Sequence, residues 1–199
     1  MSNLDFEHLH HWMNAIRQSN NPMRTLDAFY AGQLKSKKWL IDCLDEYVDF
    51  GSEVDIFGGW VGVLASMIFQ SNIPVTKIRS FDIDPMCEHI AIEMNRIEYN
   101  KKMFEAITQD MCTVSSNAHI VINTSCEHLT QEQYDTWLSN MPKDSWIVVQ
   151  GNNYDIPEHI RIAKDIHQFE QQCHLECKYI GTLNLPLYDR YMIIGRKYN

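Results

Sequence analysis

The sequence predicts a doubly wound α/β domain with a mostly parallel sheet. Three observations lead there. Short apolar segments alternate with segments of helical periodicity, a glycine-rich turn follows the first apolar segment, and the last two apolar segments come with no helix between them. The chain's 199 residues suit one domain, long enough to bury roughly two-thirds of its unfolded surface without disulfides or metal. Residues 1–199 are read as that single domain, with 1–50 as an N-terminal helical cap and 53–199 as the sheet-bearing core.

Phe6, Leu9, Met13 and Ile16 recur at helical spacing within Asp5 to Arg17. Asn20-Asn21-Pro22 breaks that helix, and a second is expected from Leu26 to Tyr47, ended by Gly51-Ser52. Val54 to Phe57 reads as a buried strand and Val61 to Gln70 as a helix. Lys77 to Ile83 is the second strand, Pro85 to Tyr99 the next helix and Glu105 to Thr108 a weaker third strand. His119 to Asn123 and Trp146 to Gln150 are strands on either side of a helix over Gln131 to Met141. A last helix is expected over Glu158 to Gln171. Cys177 to Leu183 and Arg190 to Gly195 then close the chain as an antiparallel pair at the sheet edge.

Hydrophobic residues make up 45% and charged residues 22%, the balance of a soluble globular protein. Met1 to Arg17 carries acids and histidines and reads as neither a signal nor a transit peptide. No apolar run is long enough to span a membrane. The six cysteines form no C-x-x-C pair, which fits reduced thiols and a cytoplasmic location. A net charge of −9 disfavours a nucleic acid partner, because such binding rests on neutralising phosphates. His8, His10 and His11 do not converge on one ion from a helix, so no metal is expected.

Asp55-Ile56-Phe57-Gly58-Gly59-Trp60-Val61-Gly62 leaves a buried strand, turns on glycines and enters a helix. In a doubly wound sheet ligands bind beyond the carboxyl ends of the strands, and this first turn is the usual contact. Of the five tryptophans only Trp60 sits inside it. Asp82, 24 residues beyond Gly58, ends the second strand, where an acid can accept hydrogen bonds from both ribose hydroxyls of a nucleoside cofactor. Asp84 before Pro85 reads as a helix cap.

These glycines, Asp82-Ile83-Asp84-Pro85 after the second strand and Gln109-Asp110-Met111 after the third resemble the class I S-adenosylmethionine-dependent methyltransferases over about 53–197. The resemblance implies a Rossmann-like, seven-stranded sheet and S-adenosylmethionine as cofactor. By it Asp55 supports the turn, and Gly58, Gly59, Trp60 and Gly62 line the methionine part. Asp82 holds the ribose, Ile83 packs on adenine, and Asp110 and Met111 meet the adenine edge. Phe57 stands where the family commonly has glycine, Gly62 is displaced by one, and the Pro-Cys and Pro-Pro-Tyr motifs of DNA methyltransferases are absent.

In that family the loop after the fourth strand faces the transferred methyl, and here it reads Asn123-Thr124-Ser125-Cys126-Glu127-His128. Asn123 is the candidate for the methionine amine and a catalytic role. Glu127 and His128 are candidates to take a proton from the acceptor, while a capped turn with a solvated histidine is the plainer alternative. Cys126 has nothing beside it in sequence to lower its pKa. Gln33, Lys35, Ser36 and Lys38 interrupt the second helix's apolar face, where a lysine can meet a cofactor carboxylate or simply be solvated. Asn152, Asn153 and Tyr154 follow the fifth strand on the same rim.

The expected activity is methyl transfer to a small molecule or a single side chain. An RNA or DNA acceptor and a non-catalytic cofactor-binding protein of the same fold are the alternatives. A nicotinamide-dependent dehydrogenase fits less well, because the glycines are not spaced G-x-G-x-x-G and no second domain is present.

Overall fold

Asp5, Asn21, Asp84, Thr130 and Asp165 each stand one residue before a helix and accept amide hydrogens of its first turn. Pro22 and Pro85 follow two of these caps, at the position where a missing N–H costs nothing. The computed structural model describes residues 5–198.

The helices are α1 (Phe6–Gln18), α2 (Pro22–Asp27), α3 (Ala31–Leu44), α4 (Val63–Phe69), α5 (Pro85–Met94), α6 (Arg96–Asn100), α7 (Gln131–Ser139) and α8 (Ile166–Cys173). The strands are β1 (Ser52–Phe57), β2 (Val75–Asp82), β3 (Phe104–Thr108), β4 (Ile120–Asn123), β5 (Trp146–Asn152), β6 (Leu175–Asn184) and β7 (Asp189–Lys197). They form one seven-stranded sheet in the order β3-β2-β1-β4-β5-β7-β6. The first five are parallel, and β7 runs antiparallel between β5 and β6. The strand order reverses between β1 and β4, where a doubly wound sheet opens its ligand crevice.

Successive strand residues face opposite sides, so Ile56 and Ile120 belong to one core and Phe57 and Val121 to the other. The first core takes Leu40 and Leu44 of α3 with Leu64 and Ile68 of α4, and the second takes Trp137 of α7 with Phe169 of α8. Leu40 and Leu44 are fully buried, each contributing roughly 2 kcal/mol of hydrophobic stabilisation. The third amino-terminal helix is therefore part of the layer that covers the sheet. Among the described residues no helix is long and apolar enough to cross a membrane.

Three expected helices differ in extent. The one expected over Leu26 to Tyr47 is α2, α3 and a 3-10 turn at Asp45–Tyr47, with extended backbone at Tyr30. Buried Ala28, and Phe29 set 5.5 Å from the Trp12 ring, redirect the chain there. Pro85 to Tyr99 divides at Asn95, whose buried amide donates to the carbonyls of Gly62 (3.1 Å) and Ala91 (3.0 Å). Residues 157–165 are irregular, so the last helix starts only at Ile166 and runs past the expected end to Cys173. Two amides of that stretch, Ile160 and Arg161, bond the carbonyl of Glu127 instead of a helical ladder.

α1 docks through polar contacts. Trp12 Nε1 donates to Ser66 Oγ at 2.9 Å, and His11 Nδ1 lies 3.0 Å from Glu93. His8 lies 2.8 Å from Asp5 and 2.9 Å from Glu98 through its two ring nitrogens, which requires the doubly protonated imidazolium. These histidines are thus engaged by carboxylates on the helices below. Burial lowers the His8 pKa, but the bonds to Glu98 and Asp5 outweigh it and hold the pKa above the usual 6.5. The stability this contact contributes is present below that ordinary value and lost as pH rises through the raised one. His8→Ala is expected to destabilise the protein more at about pH 5.5 than at about pH 8.5 in urea denaturation. Equal losses at both would refute the charged contact.

Candidate active site

The carboxyl ends of the parallel strands meet on one rim, and the chain after β1 shapes its centre. Gly58 (φ +64°) and Gly62 (φ +78°) lie in the left-handed region, as does Trp60 (φ +49°), a conformation that costs a non-glycine residue of order 1–3 kcal/mol. The turn is tied to β2 twice: Gly59 N donates to Phe81 O at 3.0 Å and Trp60 N to Asp82 Oδ2 at 2.8 Å. A Cβ on Gly58 would lie 2.2 Å from Ser125 Oγ, and one on Gly59 would lie 1.9 Å from Ser80 Oγ. The neighbouring chain itself therefore excludes a side chain at Gly58, where the Ser125 Cβ would lie at 2.6 Å, whereas at Gly59 the obstacle is the rotatable Ser80 hydroxyl.

Asp82 bridges two turns, accepting from Trp60 N and, at 3.0 Å through Oδ1, from Asp84 N. It is only half-buried, and a carboxylate has lone pairs for further donors. Next to it Ile83 is 70% exposed, an apolar side chain at the rim with no protein cover. Asp110 is exposed and caps the 3-10 turn of Met111–Thr113. Met111 Sδ lies 3.4 Å from Asn123 Nδ2, so the turn after β3 reaches across to the end of β4.

Two expected site residues are engaged inside the protein. Asp55 is fully buried and accepts both arms of the Arg79 guanidinium (2.7 and 2.6 Å) and the Ser116 hydroxyl (2.6 Å). Its carboxylate joins β1 to β2 and is not free for a ligand. Phe57, at the family's glycine position, stacks 5.0 Å from Phe81 in the core. Asn123 is also fully buried; its Oδ1 accepts from Ser125 N at 3.0 Å and so shapes its own loop.

Beyond β4 the chain makes a 3-10 turn over Cys126–His128. Burial pushes the Cys126 thiol up to about 12, so it is no nucleophile at neutral pH. Glu127 is buried, and its Oε1 accepts from Arg190 Nη1 (2.5 Å) and Asn152 Nδ2 (2.8 Å). Its backbone carbonyl draws in Ile160 N (2.9 Å) and Arg161 N (3.1 Å), folding the loop after β5 back over the turn. His128 is exposed, with Nδ1 on the carbonyl of Glu158 at 2.9 Å.

Several residues here carry no sequence signal. Arg190, buried at the start of β7, also donates to Thr124 O at 2.5 Å, yet reads in sequence as an ordinary strand residue. Tyr188 stacks on Tyr154 with ring centres 5.2 Å apart, and burial raises its phenol pKa. On α3 it is Lys37 that turns inward, donating to Gln33 Oε1 at 2.8 Å, whereas Lys35 is exposed and Lys38 pairs with Asp42. Burial, and secondarily the charge of Arg190, pushes the Lys37 ammonium down to about 7. Removing one partner of a buried ion pair strands the other, so Arg190→Met is expected to cost about 3–5 kcal/mol in urea denaturation. A loss below about 1 kcal/mol, the size of a solvated pair, would contradict the pairing described.

The sequence matches no family model and no curated protein. Its fold, however, is shared with solved structures. Magnesium protoporphyrin IX methyltransferase (ChlM) from Synechocystis with bound SAH superposes with a TM-score of 0.66 at 12% identity, covering 96% of this chain and 94% of that one. The N-methyltransferase NodS from Bradyrhizobium japonicum, in complex with S-adenosyl-l-homocysteine, gives 0.66 at 11% identity over 95% and 99%. The small RNA methyltransferase HEN1 gives 0.66 at 15% identity, over 86% of this chain and 26% of that one. With the strand order and the antiparallel close of the sheet, these likenesses show that the chain has the Rossmann-like fold of the class I S-adenosylmethionine-dependent methyltransferases.

Proposed function

We propose that this protein is an S-adenosylmethionine-dependent methyltransferase acting on a small molecule or a single side chain. The observation that carries the reading is the pair formed by Asp82 and Ile83. A half-buried carboxylate and a 70% exposed apolar side chain stand together at the carboxyl end of β2, beside the glycine turn and next to the point where strand order reverses. A nucleoside needs that combination, hydrogen-bond acceptors for its ribose hydroxyls and apolar cover for its base. The structural neighbours solved with S-adenosylhomocysteine support this choice of nucleoside.

In this reading Asp82 holds the ribose, Ile83 covers adenine, and Asp110 with Met111 borders its edge. Gly58, Gly59, Trp60 and Gly62 form the turn beside the methionine part. Asp55 and Asn123 act indirectly, since the Asp55 carboxylate joins β1 to β2 and the Asn123 amide shapes the loop after β4. When bound, S-adenosylmethionine supplies an already activated sulfonium methyl, so the protein's task is chiefly positioning. On the acceptor side Tyr154, Tyr188 and Lys37 surround the Arg190–Glu127 pair. Where no ion holds them, Glu127 Oε2 and His128 Nε2 have lone pairs there that can take the acceptor's proton.

The fold does not choose the acceptor, since its neighbours include a porphyrin and an RNA methyltransferase. The net charge of −9 favours a small or side-chain acceptor over a polyanion. Calorimetric titration with S-adenosylmethionine is expected to show binding in the micromolar range, weakened at least about tenfold in Asp82→Ala, about 1.4 kcal/mol. NAD in a parallel titration is expected not to bind. Absence of S-adenosylmethionine binding, or preference for NAD, would overturn the proposal.

A further inference from the structure

Glu127, His128 and His159 each bring one ligand atom within 4.8 Å of the other two. His159 lies in the loop after β5, which the Glu127 carbonyl folds back over the turn after β4. The two imidazoles are held alike. Nδ1 of His128 lies 2.9 Å from Glu158 O, and Nδ1 of His159 lies 2.8 Å from Tyr154 O. A backbone carbonyl only accepts, so each Nδ1 carries a hydrogen, which in the neutral ring leaves Nε2 its lone pair for an ion. Metal-binding histidines are commonly fixed in this way, donating one ring N–H to a carbonyl.

The third group is short of a partner. Glu127 is 4% exposed; Oε1 serves Arg190 and Asn152, while Oε2 is buried with no hydrogen-bond partner. A buried carboxylate oxygen without a partner is unfavourable, and a cation at this point supplies one. The ring centres of His128 and His159 lie 4.9 Å apart at 77°, with no hydrogen bond between them. Exposed His128 leaves an entry from solvent.

We propose that Glu127, His128 and His159 bind a divalent first-row transition metal, Zn2+ or an ion of similar ligand preference. Two neutral imidazoles and one carboxylate form its three-residue donor set with open positions, whereas Mg2+ and Ca2+ take oxygen ligands. Ligand atoms of a tetrahedral ion stand roughly 3.4 Å apart for bonds of about 2.1 Å. The three ligand atoms lie within 4.8 Å of one another, so binding an ion draws them closer together. Arg190 at Oε1 offsets part of the carboxylate charge and makes the ion exchangeable. The site stands on the rim where the acceptor is placed above. Use of the open positions by an acceptor atom rests on the methyltransferase reading; binding of the ion does not.

The test uses the full chain after treatment with a chelator. Zn2+ is titrated by calorimetry and Co2+ by visible absorption, in the wild type, His159→Ala and His128→Ala, with circular dichroism confirming the fold. One ion per chain, with cobalt d–d bands and affinity reduced at least about tenfold in both variants, is expected. Failure of the wild type to bind either ion would overturn the site. So would unchanged binding in both variants, which would place the ion at the thiols or the amino-terminal histidines. S-adenosylmethionine titrated into the same preparation separates the two readings, since cofactor binding without metal, or metal binding without cofactor, sinks only one of them.

Discussion

The turn after β1 packs so closely on the loop after β4 that there is no room for a side chain at Gly58. Ser125 already occupies that position, and the Ser80 hydroxyl lies against Gly59. The centre of the rim depends on this steric constraint. It holds the β1 turn in left-handed backbone, presents the Trp60 amide to Asp82 and sets the loop after β4 against the turn after β1. Asn95 extends the same brace from behind by breaking α5 from α6 in order to bond Gly62. The glycine turn is therefore held in place by contacts within the chain itself.

A second brace, the buried pair of Glu127 and Arg190, joins β4, β5 and β7 across the acceptor side. Its components are scattered along the chain, which explains why only half of it is legible in sequence. Glu127 stands out because it follows an apolar strand in a polar run. Arg190 and Lys37 look like ordinary exposed cations, yet the topology that lays β7 beside β5 buries Arg190, and Lys37 is half-buried on α3. His159 is silent for the same reason: it joins His128 through a loop folded back by long-range bonds to Glu127 and Cys126 carbonyls. No local pattern records such a contact.

The fold is more legible because its local and tertiary demands agree. Val54 to Phe57, His119 to Asn123 and Trp146 to Gln150 are apolar on both faces, and both faces are covered. Disagreement marks the helix errors. Ala28, Asn95 and Arg161 all permit helix, but each is claimed by a contact with another element. The glycine turn shows a subtler case. Its sequence calls for close approach, and the approaching atoms are those of Ser125 and Ser80 as well as any ligand. Asp55 likewise has the spacing of a ligand residue and the contacts of a structural one.

The central claim is that a nucleoside cofactor lies across the tips of β1, β2 and β3. A crystal structure with S-adenosylhomocysteine tests it most directly. The account predicts ribose hydroxyls on the Asp82 carboxylate, adenine against Ile83 and the amino acid part beside the glycine turn. Ligand bound elsewhere, or a rim left unchanged at saturating ligand, would contradict it.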